Sequence, residues 1–210
     1  PYVILLKAGP SEGTIDGFFK QNNNETFKNN AALFAENWES GVKSWQDVKV
    51  ESKILAKGLD FSKAAKDGVL TWTVEYKPNE IGHKEAYIED TLPAGIDLRT
   101  DATGRLILDD NITVTELTLN ANGNYTDGDP MKSEDLEKAI SYDHGTRVLR
   151  FDIPESSKAY RLTYKTDITG DPGTTLTNQV ALSSSTTTQG GVEKGYTIAD
   201  ADARATLLAR

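Results

Sequence analysis

The sequence contains no cysteine in its 210 residues. That excludes disulfides, thiolate catalysis and cysteine-ligated zinc or iron–sulfur centres. Histidine is nearly as scarce: His83 and His144 stand far apart without a ligand-like spacing, so no metal or histidine-based catalytic site is expected. No apolar run approaches the roughly 18–20 residues of a membrane span, and no signal peptide or cell-wall sorting tail is recognisable. Phosphate loop, nucleophile elbow and metalloprotease motif are missing too, and no cofactor is expected. Basic residues number 23 against 32 acidic ones, and the net charge of -9 gives a field that repels nucleic acid and anionic membrane. A chain running from Pro1 to Arg210 reads as a piece of a longer protein.

What is present points to strands. Aromatics are 8% of the chain, while Thr, Asn, Asp and Gly are abundant, which suits short strands with polar turns. Strands are expected at residues 2–6, 26–34, 47–59, 69–76, 86–92, 106–108, 112–119, 148–153, 159–166 and 174–182. The strand at 69–76 follows the turn signal Asp67-Gly68 and puts Leu70, Trp72, Val74 and Tyr76 on one face. Residues 13–25 and 120–130 read as loops. One short helix is expected at 133–140, with Ser133 as N-cap. The sum is an all-β sandwich with one short helix.

The chain also repeats itself. Residues 2–7 parallel 160–165, Asn29-Asn30-Ala31-Ala32-Leu33 parallels Asn178-Gln179-Val180-Ala181-Leu182, and 54–57 parallel 207–210, all in the same order. This reads as a tandem array, with residues 1–47 the terminal strands of a preceding repeat or an N-terminal extension and 48–210 a complete domain. The competing reading is a single domain whose N-terminal strands belong to its own sheets.

Three polar residues interrupt apolar stripes. The alternation groups Leu176, Asn178, Val180 and Leu182; Ile88, Asp90 and Leu92; and Leu55, Lys57 and Leu59. Singly, each reads as a structural polar residue or an edge-strand charge. Together they supply a carboxamide, a carboxyl and an amine. Burial raises the pKa of an Asp and lowers that of a Lys, which yields a neutral nucleophile and a neutral acid. The product would be a Lys–Asn isopeptide bond with loss of ammonia, formed once and without turnover.

Lys57, Trp72-Thr73-Val74, Ile88-Glu89-Asp90-Thr91-Leu92-Pro93-Ala94-Gly95 and Thr177-Asn178 together resemble the collagen-adhesin type of immunoglobulin-like domain in Gram-positive surface proteins. The resemblance covers roughly residues 48–200. It implies an immunoglobulin-like β-sandwich with Lys57 and Asn178 joined by an isopeptide bond and Asp90 as the catalytic acid. Lys53, on the same face as Lys57, remains an alternative for the lysine. In the partial repeat Asn29 matches Asn178, while Arg210 stands where Lys57 does and cannot act as a nucleophile, because a guanidinium stays charged.

The expected role is a stalk or pilin-like domain, extracellular and anchored to the cell wall through other parts of the parent chain, with neighbouring repeats as partners. The alternative is an adhesin module that binds a host extracellular-matrix protein; an enzyme acting on an external substrate ranks third. Asp109-Asp110 and Asp127-Gly128-Asp129 read as solvated acidic loops, since neither fits an EF-hand. Asn24-Glu25-Thr26, Asn111-Ile112-Thr113 and Asn124-Tyr125-Thr126 fit the glycosylation pattern, which matters only in a eukaryotic secretory pathway.

Overall fold

The computed structural model of the chain describes residues 18, 21–34, 36, 41–78, 82–185 and 188–202. The expected strand at 2–6 and the repeat segment at 207–210, Arg210 included, lie outside the described residues.

Two antiparallel sheets form a sandwich. One has the order β13-β12-β5-β10-β9 and the other β3-β4-β11-β7-β8, with β6 also pairing with β11. The first comprises β5 (Tyr87–Thr91), β9 (Ile140–Asp143), β10 (Val148–Asp152), β12 (Thr175–Ser183) and β13 (Thr188–Thr197). The second comprises β3 (Leu55–Asp60), β4 (Val69–Tyr76), β6 (Ile96–Leu98), β7 (Ile112–Leu119), β8 (Tyr125–Pro130) and β11 (Ala159–Ile168). The expected all-β sandwich is the fold found.

The core follows from the period of two. On β4 the alternating buried residues are Leu70, Trp72, Val74 and Tyr76, with Val69 buried before them, and on β11 they are Tyr160, Leu162, Tyr164, Thr166 and Ile168, with Ala159 before them. From the facing sheet, Ile88, Leu149, Phe151, Leu176, Val180 and Leu182 complete the same cluster. Full burial of each large apolar side chain contributes about 1.5–3 kcal/mol. The two sheets therefore present their inner faces to each other, and any polar residue on those faces is sealed between them.

A third sheet is a hairpin of β1 (Asn23–Leu33) and β2 (Val42–Ser52), which pair with each other from Asn23↔Ser52 to Leu33↔Val42. Its side chains are almost all exposed, Phe27, Leu33, Val42, Trp45 and Val48 among them. It joins the sandwich through Asn22, whose side chain donates to the Leu55 carbonyl (2.7 Å) and accepts from the Leu55 N–H (3.0 Å).

Several expectations need correction. The single strand expected at 47–59 is two, broken at Lys53-Ile54: β2 pairs with β1 and β3 with β4, and Asn22 occupies the hydrogen-bonding groups of Leu55 between them. The expected loop at 120–130 is a turn followed by β8. Asn120 Oδ1 accepts the N–H groups of Asn122 and Asn124 (both 3.0 Å), and residues 125–130 return along β7. As an edge strand bathed on both faces, β8 carries no apolar alternation to betray it. Residues 106–108 form no strand, only a bridge Thr100↔Leu106, although Leu106 and Leu108 pack on the core. Ser133 is the first residue of the helix Ser133–Ala139 rather than its cap; Lys132 holds that position without a side-chain bond. A second helical turn, Ala64–Asp67, went unexpected; it closes on Gly68 in the left-handed conformation (φ 65°).

Candidate functional site

Between the sheets lies a sealed polar cluster. Lys57 enters from β3 and Tyr164 from β11 in one sheet, and Asp90 from β5 and Asn178 from β12 in the other. Lys57 and Asn178 thus reach each other's neighbourhood from opposite walls of the sandwich. On the second wall, Val180 is directly opposite Asp90, which sets Asn178 one alternation step away from it on the same inward face. On the first, Trp72 of β4 pairs with Tyr164. Register within each sheet and the packing of one sheet on the other together converge residues separated by more than a hundred positions in sequence.

The hydrogen bonds centre on Tyr164. Its hydroxyl donates to Asp90 Oδ2 (2.6 Å) and accepts from Asn178 Nδ2 (2.7 Å) and Lys57 Nζ (3.2 Å). Lys57 Nζ also forms an ion pair with Asp90 Oδ2. The ammonium lies 5.3 Å from the centroid of the Trp72 ring and 5.6 Å from that of Tyr164, within cation–π range. Trp72 is itself held by its indole N–H, which donates to Thr166 Oγ1 (3.0 Å). Two buried oxygens, Asp90 Oδ1 and Asn178 Oδ1, have no hydrogen-bond partner among the described residues. Each such orphan costs about 1–3 kcal/mol in desolvation, so the cluster is poorly arranged for stability alone.

Burial dominates the electrostatics. It drives the Lys57 pKa down against the opposing pull of the Asp90 charge and its hydrogen bond. Burial likewise raises Asp90, opposed by the charge and hydrogen bond of Lys57 and by the Tyr164 bond. Tyr164 is raised well above the ordinary tyrosine value by burial first and the nearby Asp90 charge second, and so remains a phenol. Both members of the pair are pushed towards their neutral forms, an amine and a carboxylic acid.

The structure brings the three sequence-predicted residues, Lys57, Asp90 and Asn178, into this one cluster. Lys53 is exposed, outside it, at the break between β2 and β3. Asn29 sits exposed on β1, opposite Gln46. Tyr164 escaped the sequence reading, because a tyrosine in the stripe Tyr160, Leu162, Tyr164 reads as core. The signal was there: a buried tyrosine hydroxyl demands a partner. His83 is buried beside the Tyr76 ring, while exposed His144 bonds the Gly104 carbonyl (2.7 Å), so the two histidines take part in no common site. Asp127 pairs with Arg161, and Asp110 occupies a turn at φ 58°. No group of three or more acidic or histidine side chains able to hold a metal occurs among the described residues.

No protein-family model matches the sequence, and no curated protein matches it. Among solved structures, the chain is similar to the collagen-binding domain of the Erysipelothrix rhusiopathiae surface protein RspB, at 15% identity and a TM-score of 0.49, over 86% of this chain and 58% of that one. It is also similar to the collagen-binding domain of a Staphylococcus aureus adhesin, at 18% identity and a TM-score of 0.47, over 72% of this chain and 100% of that one. A third is ACE19, the collagen-binding subdomain of the Enterococcus faecalis surface protein ACE, at 13% identity and 0.45, over 68% and 94%.

Proposed function

We propose that the chain is a stalk domain of a Gram-positive surface adhesin or pilin-like protein, tied internally by a self-formed isopeptide bond between Lys57 and Asn178 with Asp90 as the acid. The observation that carries this reading is the sealed cluster itself. An amine and a carboxyl without exposed side-chain surface share it with a carboxamide whose oxygen has no hydrogen-bond partner among the described residues. A buried ion pair is a weak device for stability, whereas a neutral amine beside a neutral acid and an amide is a reactive set.

The reaction balances without a co-reactant. The Lys57 lone pair attacks Asn178 Cγ, the Nζ–Cγ bond forms, and the Cγ–Nδ2 bond breaks. One Nζ proton ends on the departing nitrogen, ammonia leaves, and Asp90 returns to its protonated form. The process occurs once per chain, so the domain does not turn over a substrate. A covalent tie between the two sheets would restrict the unfolded chain as a disulfide does, without a redox requirement. That suits an extracellular, wall-anchored, cysteine-free protein under tension.

The hairpin supports the tandem reading, in which residues 1–47 close a preceding repeat. On β1, Phe27, Asn29, Ala31 and Leu33 alternate as Leu176, Asn178, Val180 and Leu182 do on β12, and both strands continue into an antiparallel hairpin partner. The partner strand of the first hairpin, β2, runs on to Ser52.

Intact mass of the denatured protein is the test. The expected result is a chain lighter by one ammonia, with full mass restored in Lys57→Ala and Asn178→Ala but not in Asn29→Ala. Full mass in the unmodified sequence would reduce the cluster to a non-covalent one. A second reading, a module that binds an extracellular-matrix protein, is favoured by a groove of about 580 Å³ beside the helix Ser133–Ala139, lined by Pro130, Met131, Ile153 and Tyr160. Retention of the protein on collagen, fibrinogen or fibronectin surfaces would support it.

A further inference from the structure

The acid and the amide of the proposed reaction share no hydrogen bond among the described residues. Asp90 Oδ2 bonds Lys57 and Tyr164, Asp90 Oδ1 bonds nothing among the described residues, and Asn178 Nδ2 bonds Tyr164. One oxygen joins them: the Tyr164 hydroxyl, 2.6 Å from the carboxyl and 2.7 Å from the carboxamide nitrogen. The same oxygen accepts from the attacking Lys57 Nζ at 3.2 Å. Resting on the isopeptide reading, the geometry points to Tyr164 as a further catalytic residue, whose hydroxyl relays protons between Asp90 and the Asn178 carboxamide.

The relay serves both halves of the reaction. A half-turn of the Asn178 amide exchanges Nδ2 for Oδ1 and relieves the orphaned oxygen, because the phenol then donates to it. Protonated Asp90 donates to the phenol oxygen in turn. As Nζ attacks, Oδ1 takes the phenol proton and the phenol takes the Asp90 proton. The Asp90 carboxylate, which contacts Nζ directly, then removes the proton that the new Nζ–Cγ bond has made acidic. A rotation of the adduct about Cβ–Cγ, back to the orientation seen in the structure, turns Nδ2 to the phenol, which supplies the proton with which ammonia departs. The phenol is refilled from Asp90, which finally regains the proton of the collapsing Cγ hydroxyl. Every group but the two joined residues ends as it began.

A relay must donate and accept, which a phenol does and a phenolate does not. Burial holds Tyr164 in the phenol form. The fully buried position also keeps bulk water from substituting for the relay. A purely structural hydroxyl would satisfy the same neighbours but would not control the rate.

The test follows the mass of the full chain over time after cell-free synthesis is stopped, for the unmodified sequence and for Tyr164→Phe, with circular dichroism as the check on folding. The expected result is that ammonia loss in Tyr164→Phe lags by about 10²–10⁴-fold, the range of a positioned proton-transfer group. An unchanged time course in Tyr164→Phe overturns the relay and leaves the isopeptide reading standing. Full mass in the unmodified chain overturns both. Should Tyr164→Phe fail to fold, 3,5-difluorotyrosine placed at position 164 keeps the hydroxyl while making it more acidic. The relay then requires the rate of ammonia loss at the top of the pH profile to change, because the acidity of that hydroxyl governs both of its proton transfers, and an unchanged rate overturns it.

Discussion

Lys57 and Asp90 meet from opposite sheets of the sandwich, and neither side chain retains any exposed surface. Taking two ions out of water costs several kcal/mol each, and a proton passed from the amine to the carboxyl relieves both costs together. The pair is therefore best regarded as a single titrating unit that holds one proton between two sites.

The choice of lysine can be checked directly. Lys53→Ala should leave the mass deficit of one ammonia intact, since Lys53 is exposed and away from Asp90. Lys57→Arg should abolish it, because a guanidinium keeps its charge and offers no nucleophile. Mass spectrometry of the two denatured variants reads the outcome. Loss of the deficit in Lys53→Ala would move the bond.

The rate of bond formation should be bell-shaped in pH. At the ordinary values of 10.5 and 3.8, a neutral amine and a neutral acid never coexist in quantity. Burial lowers the first and raises the second, which brings the form with both groups neutral within reach. At low pH the pair takes up a second proton, the amine is charged and the rate drops. At high pH the pair gives up its proton, no acid remains and the rate drops again. Mass deficit against time, across a pH series, checks both limbs; a rate that climbs steadily into alkali would show that the acid is not needed.

Thr166→Val should destabilise the fold by about 1–3 kcal/mol, the cost of orphaning a buried donor of the Trp72 indole. Urea denaturation in a Lys57→Met background, in which the proposed covalent tie cannot form, gives the comparison. The shape change is small, so a loss near zero would mean that the indole finds another acceptor.

Gly95→Ala should cost about 1–3 kcal/mol, as expected for a non-glycine residue held in a sparsely populated conformation. Gly95 has φ 100°, and an added Cβ would stand 3.0 Å from Leu176 Cδ2, two residues before Asn178 on β12. The same denaturation measurement reads the loss. Ammonia loss should slow as well, because the buried Leu176 side chain would have to give way on the strand that carries Asn178.

Much of this was legible in the sequence wherever one face of a strand is buried. Asp90 and Asn178 stood out because β5 and β12 alternate cleanly, so a polar residue in the inner stripe is conspicuous. Lys57 was less distinct, since the run that carries it divides into β2 and β3 through Asn22, a contact from 33 residues away. Tyr164 was hidden by its chemistry: its ring belongs in the core and only its hydroxyl belongs to the site. Strands β6 and β9, three and four residues long, are too short for a periodic signal. β13 carries adjacent glycines, Gly190 and Gly191, and was not expected as a strand at all; only its pairing with β12 defines it.

The placement of the cluster has a consequence for chain topology. Lys57 precedes and Asn178 follows the exposed turn at 120–124. With the two side chains joined, everything between them becomes a closed ring from which two tails emerge. A protease that cuts the ring at that turn opens it but releases nothing: both fragments stay attached through the side-chain amide and migrate as one branched molecule. A surface protein built this way could sustain a break in its backbone and still transmit load from one end to the other.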